Sequence, residues 1–140
     1  MLPKVMIIED DPVIQEIYAL KFELEGYPVV VASNGELGLE QVETFAPHYI
    51  LLDMMMPVMN GLEFMEQYRP KQGPDTEVIV FSNISAPSQM EAVMGLGVRD
   101  YWIKSDYTPE QVVAEIAQLW SQRLEGQSNA ADSSHGSATA

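Results

Sequence analysis

The sequence contains no cysteine, which removes a disulfide framework, a thiolate metal site and a thiol nucleophile from consideration. Function has to come from oxygens, nitrogens and shape. Basic residues are scarce: 7 Lys+Arg stand against 21 Asp+Glu, and the formal net charge of −14 repels nucleic acid and anionic membrane surfaces unless a basic patch gathers locally. The sequence holds no such patch, so direct nucleic-acid binding is not expected. Long apolar runs are missing too. The start, MLPKVMIIEDD, offers only a few apolar residues before three acids, far short of a signal h-region or a membrane span. A soluble, cytoplasmic protein without membrane contact is the expectation.

What is present fits one core, since 140 residues bury enough surface to fold without staples. Five short apolar runs recur: Val5-Met6-Ile7-Ile8, Val29-Val30-Val31, Tyr49-Ile50-Leu51-Leu52, Val78-Ile79-Val80-Phe81 and Tyr101-Trp102-Ile103. They read as buried strands. Helical spacing fills the intervals. The first helical segment carries Val13, Ile14, Ile17, Leu20 and Leu24 on one side, with Asp11 as its cap, Pro12 in its first turn and Gly26 just past its end. The last opens with Thr108, Pro109 and Gln111 as a capping box and has Val112, Val113, Ile116, Leu119 and Trp120 as its apolar stripe. Strands alternating with helices predict a doubly wound α/β domain with a parallel sheet over residues 1–124. Residues 125–140, with no large apolar side chain, read as a disordered tail or linker remnant.

In an open parallel sheet, ligands bind beyond the carboxyl ends of the strands. Here those ends are polar: Glu9, Asp10 and Asp11 follow the first run, Asp53 the third, Ser82 and Asn83 the fourth, and Lys104 the fifth. Crowded carboxylates repel one another unless a cation neutralises them, and oxygen ligands without imidazole or thiolate favour magnesium. A second reading treats the acids as helix caps neutralised by Lys104 without metal. His48 and His135 lie far from the acids in sequence.

Across about residues 3–124 the sequence resembles the receiver domains of two-component response regulators. VMIIEDDP is similar to the family's first strand and acidic pair, YILLDMMMPVMNGLEF to its phosphoacceptor segment, VIVFS to its hydroxyl-bearing strand and DYWIK to its lysine-bearing strand. The resemblance implies the flavodoxin-like strand order 2-1-3-4-5. It implies that Asp53 accepts a phosphoryl group beside Mg2+ held by Asp10, Asp53 and the Met55 carbonyl, with Glu9 acting through water. Lys104, Ser82 and the Asn83 amide are then the groups that meet the phosphoryl, and Ser82 and Tyr101 the switch pair. The donor implied is a histidine kinase or phosphotransfer protein, and the output surface is that of the fourth helix, fifth strand and fifth helix. The chain would be a self-resetting switch and not a turnover enzyme.

Four positions depart from the family pattern: Ser105 stands where proline is usual, leaving the isomer of the Lys104–Ser105 peptide open, Asn83 replaces a small residue, Trp102 is bulky where an aliphatic is usual, and Ser82 stands for threonine. Ser82 keeps the hydroxyl of the commoner threonine. Among rival readings, a dehalogenase-like phosphohydrolase needs its nucleophile after the first strand in a D-x-D pattern, which EDDP does not match. A flavodoxin-like cofactor site would place phosphate against Glu9 and Asp10. A receiver-like scaffold that binds proteins without being phosphorylated is the alternative of a different class.

Overall fold

Five parallel strands form one sheet, β1 Val5–Ile8, β2 Val29–Ala32, β3 Tyr49–Leu52, β4 Glu77–Ser82 and β5 Asp100–Ile103, in the order β2-β1-β3-β4-β5. The computed structural model describes the backbone of residues 1–139 and the side-chain surroundings of residues 1–128. Between the strands run α1 Pro12–Leu24, α2 Gly35–Phe45, α3 Gly61–Tyr68 and α4 Pro87–Met94, and α5 Pro109–Thr139 follows β5. No helix among the described residues is long and apolar enough to cross a membrane.

The period-2 pleat divides the core into two layers. Val5, Ile7, Tyr49, Leu51, Ile79, Phe81 and Trp102 point to the α1 and α5 side, where they meet Tyr18, Phe22, Val112 and Ile116. Their neighbours Met6, Ile8, Ile50, Leu52, Val78 and Val80 point to the other side, against Val42, Phe64, Met65 and Val93 of α2, α3 and α4. Both faces being covered explains why the strands are continuously apolar.

The caps expected at Asp11 and Thr108 are in place, and Asn34 and Asn60 supply two more. Asp11 accepts from the Val13 and Ile14 amides, Asn34 from Leu37, and Asn60 and Glu63 form a reciprocal capping box on α3. Thr108 and Gln111 do the same at the start of α5.

Of the apolar side read from the α1 sequence, only Ile14 packs against the core. Val13, Ile17, Leu20 and Leu24 are exposed, Leu24 at 74%. α1 packs through the adjacent stripe of Ile14, Tyr18 and Phe22, where Tyr18 meets Phe81 edge-on at 5.2 Å and Phe22 meets Tyr27 at 5.3 Å. Both stripes have helical periodicity; the two aromatic rings remove more surface from water and take the core.

α5 runs from Pro109 to Thr139 as one helix. No proline interrupts it, and its packed first turns supply a nucleus for propagation. Among the described residues its last buried side chain is Trp120, whose indole N–H donates to the Met1 carbonyl at 2.9 Å.

Candidate functional site

Strand register builds the site. Ile8 pairs with Leu52 across β1 and β3, so Glu9 and Asp53 leave the sheet side by side, and Ser82 pairs with Ile103, which sets Lys104 next to the end of β4. The Asp53 amide donates to the Ile8 carbonyl at 3.0 Å and the Glu9 amide to Ala32 at 3.0 Å, so the ladder carries on one residue beyond the strands. Behind Asp53 the backbone turns tightly: a Cβ on Gly61 would lie 2.5 Å from the Asp53 carbonyl oxygen and 2.9 Å from Met54 Cα. Glycine at 61 is therefore required by close approach.

Glu9, Asp10 and Asp53 each offer a carboxylate oxygen, and these atoms lie within 4.8 Å of one another. Glu9 and Asp53 are buried, at 4% and 6% exposure, whereas Asp10 is exposed. Lys104 Nζ lies 2.8 Å from Glu9 Oε1 and 3.3 Å from Asp53 Oδ2. One ammonium does not balance three carboxylates. Burial, reinforced by the Asp53 carboxylate and only partly opposed by Lys104, pushes the Glu9 carboxyl up to about 8. Its buried Oε2 has no hydrogen-bond partner among the described residues. An orphaned buried oxygen in an oxygen-only cluster of negative charge fits a hard divalent cation.

The remaining residues singled out from the sequence surround this cluster. The Met55 amide donates to Asp53 Oδ1 at 3.3 Å, while the Met55 side chain is exposed. Ser82 is buried at 1% exposure, and its Oγ accepts from the Ile84 amide at 3.3 Å. The hydroxyl of the half-buried Tyr101 donates to the Ile84 carbonyl, and burial, with the Asp53 charge adding to it, raises its phenol above the ordinary value. Asn83 Oδ1 accepts from the Ser105 amide at 3.1 Å. No peptide bond is cis among the described residues, so Lys104–Ser105 is trans. A cavity of about 810 Å³ opens beside Asp10, bounded by Met54, Met55 and Leu62 on one side and Ile84, Ser85 and Gln89 on the other.

His48 sits at the other end of the sheet, its Nδ1 accepting from the Lys4 amide at 2.9 Å, while His135 falls outside the residues whose side chains are described. Trp102 is core, stacked on Tyr107 at 5.3 Å. Sequence reasoning missed Gln15, whose side-chain amide donates to the Glu9 carbonyl and ties α1 to the acidic loop. A glutamine on a helix gives no signal of such a role.

The sequence model for the response regulator receiver domain matches residues 5–117. The chain is 34% identical over 119 residues to a probable C4-dicarboxylate response regulator, DctR, of Halalkalibacterium halodurans, covering 84% of this chain and 51% of that protein. It is 30% identical to the alkaline phosphatase synthesis transcriptional regulatory protein PhoP of Bacillus subtilis, covering 83% and 48%. The chain thus spans about half the length of these curated relatives. Among solved structures, the receiver domain of a Francisella response regulator is similar at a TM-score of 0.74 and 28% identity, covering 86% of this chain and 98% of that one. A CheY-like receiver from Methanospirillum hungatei shares the fold at a TM-score of 0.81 and 22% identity, covering 90% and 99%.

Proposed function

The chain belongs to the response regulator receiver domain family, and from that premise we propose that Asp53 takes a phosphoryl group from a phosphohistidine on a histidine kinase or phosphotransfer protein. The observation that carries this reading is the position of Lys104, whose ammonium bridges the buried Asp53 and Glu9 at 3.3 and 2.8 Å. Here a single cation spans two carboxylates that lack enough positive charge between them.

In the proposed reaction an Asp53 carboxylate oxygen attacks phosphorus, the phosphorus–nitrogen bond breaks, and the electron pair stays on the donor imidazole. Lys104 pairs with the transferred group, and the Ser82 hydroxyl and the main-chain N–H of Asn83 donate to its oxygens, a donor that does not depend on the Asn83 side chain. Asp10 and Asp53 would hold Mg2+, with the Met55 carbonyl as a further ligand and Glu9 acting through water. When bound, the ion supplies positive charge against the phosphoryl oxygens. Water attack at phosphorus then returns the carboxylate and releases inorganic phosphate. The chain is a switch in this cycle and not a turnover enzyme.

For partners, the exposed α1 stripe of Val13, Ile17, Leu20 and Leu24 supports docking of an apolar helical surface on the phosphodonor. The surface of α4, β5 and α5 is assigned to the downstream target, in a cytoplasmic setting. Residues 1–124 are taken as the signalling unit and 125–140 as a tail or linker remnant. The phosphohydrolase reading loses its basis because the buried candidate nucleophile, Asp53, follows β3 and not β1.

The test is incubation with acetyl phosphate, with magnesium or excess chelator, followed by mapping of the modified residue. Label on Asp53 is expected only with magnesium. Undiminished labelling of Asp53→Asn, or full labelling in chelator, would refute the assignment.

A further inference from the structure

Two of the sequence positions that depart from the family pattern, Asn83 and Ser105, are bonded to each other: the Ser105 amide donates to Asn83 Oδ1 at 3.1 Å. A proline at 105 would have no N–H to give, and a small aliphatic side chain at 83 would have no oxygen to receive it. Neither departure alone makes the contact.

Local geometry explains what the bond does. Lys104–Asp106 forms a single 3-10 turn entered from Ile103 without any side-chain cap of its own. The first amides of such a turn have no partner inside it. Asn83, reaching across from the segment after β4, satisfies one of them. The peptide unit held in this way directly follows Lys104, whose side chain returns to Asp53 and Glu9. Engagement of Oδ1 also stops the Asn83 side-chain amide from rotating. Asn83, Lys104 and Ser105 together line one wall of a cavity of about 220 Å³ against Ile14 and Tyr18 of α1.

We propose that the Asn83–Ser105 hydrogen bond is a strap that positions Lys104 on Asp53, making Asn83 a positioning residue for phosphorylation that acts through Lys104. This rests on Asp53 being the phosphoacceptor, and the strap exists whether or not the site is phosphorylated. The two claims therefore fail separately.

The full chain is used throughout. Hydrogen exchange of the Ser105 amide is followed by NMR without phosphate, and labelling of Asp53 by acetyl phosphate in magnesium is timed. Asn83→Ala is expected to speed Ser105 exchange and to slow labelling about fivefold, the loss of one ordinary hydrogen bond. Asn83→Asp keeps an acceptor oxygen and is expected to keep the Ser105 amide protected. In a Lys104→Ala background, Asn83→Ala is expected to add no further loss, because its effect runs through the missing ammonium. Half-saturating magnesium should stay the same in Asn83→Ala. Unchanged Ser105 exchange in Asn83→Ala, undiminished labelling, or an additive loss in the double variant would overturn the strap. An unlabelled wild-type chain would instead overturn the phosphoacceptor reading, with Ser105 exchange still deciding whether the strap exists.

Discussion

Ser82 and Tyr101 meet at a single residue: the Ser82 hydroxyl accepts from the Ile84 amide, and the Tyr101 hydroxyl donates to the Ile84 carbonyl. A phosphoryl group on Asp53 that draws the Ser82 hydroxyl to itself removes the restraint on the Ile84 amide. The loop carrying the Tyr101 acceptor is then free to shift. NMR with and without a phosphate mimic should show changes at Ser82, Ile84, Tyr101 and α4, with a coupling of about 1–3 kcal/mol being typical of such switches. Changes confined to Glu9, Asp10 and Asp53 would count against the relay.

Lys104→Ala should leave the two core layers intact and yet phosphorylate poorly. The substitution strips the ammonium from two buried carboxylates, and Glu9, already raised to about 8, responds by holding its proton more firmly. Labelling by acetyl phosphate is expected to fall by about tenfold or more, as for loss of a preorganised charge at a reacting group. The circular dichroism spectrum should be retained. Loss of the folded spectrum would assign Lys104 a structural role instead.

Charge placed on the exposed face of α1 should separate two kinds of donor. Ile17→Asp and Leu20→Asp alter side chains that the core does not use. Transfer from a cognate kinase is expected to drop at least tenfold, in line with loss of a central apolar contact at an interface. Labelling by acetyl phosphate, which needs no docking, should hold. Equal loss with both donors would remove α1 from the partner surface.

His48 gives the fold a dependence on acidity at the end of the sheet away from Asp53. Burial, with Arg123 and Lys4 nearby, lowers its basicity below the ordinary value, and its Nδ1 must be unprotonated to accept from the Lys4 amide. The unfolded chain therefore binds a proton at a higher pH than the folded one does. This contribution is complete above the ordinary histidine value of about 6.5 and is lost as pH falls through the lower folded value. His48→Gln should flatten that part of the stability profile, measured as melting temperature between neutral and mildly acid pH. An unaltered profile would show that other groups carry it.

The strands and the identity of the acidic site were legible because each rests on a local signal. Continuous apolar runs mark strands covered on both faces, and the residue after each run is fixed at the ligand-binding edge by chain order. The caps at Asp11 and Thr108 likewise follow from one or two neighbours. α1 was not legible in the same way, since two apolar stripes of equal period compete and only tertiary packing of Tyr18 and Phe22 selects between them. Nor was the bond from Ser105 to Asn83, although both residues stood out individually. A contact between positions 22 apart depends on β4 and β5 being neighbours, which periodicity does not encode.

Four bare aliphatic side chains on a molecule of net charge −14 also bear on its behaviour as a colloid. On a neutral protein the α1 stripe would invite copies to cluster. Here two copies cannot bring their stripes together without bringing their like charges together, so repulsion guards the surface while a cationic-rimmed partner is admitted. Concentrated salt dissolves that guard, because the screening length shrinks from about 10 Å at 0.1 M to about 3 Å at 1 M. The stripe is selective in dilute electrolyte and adhesive in brine.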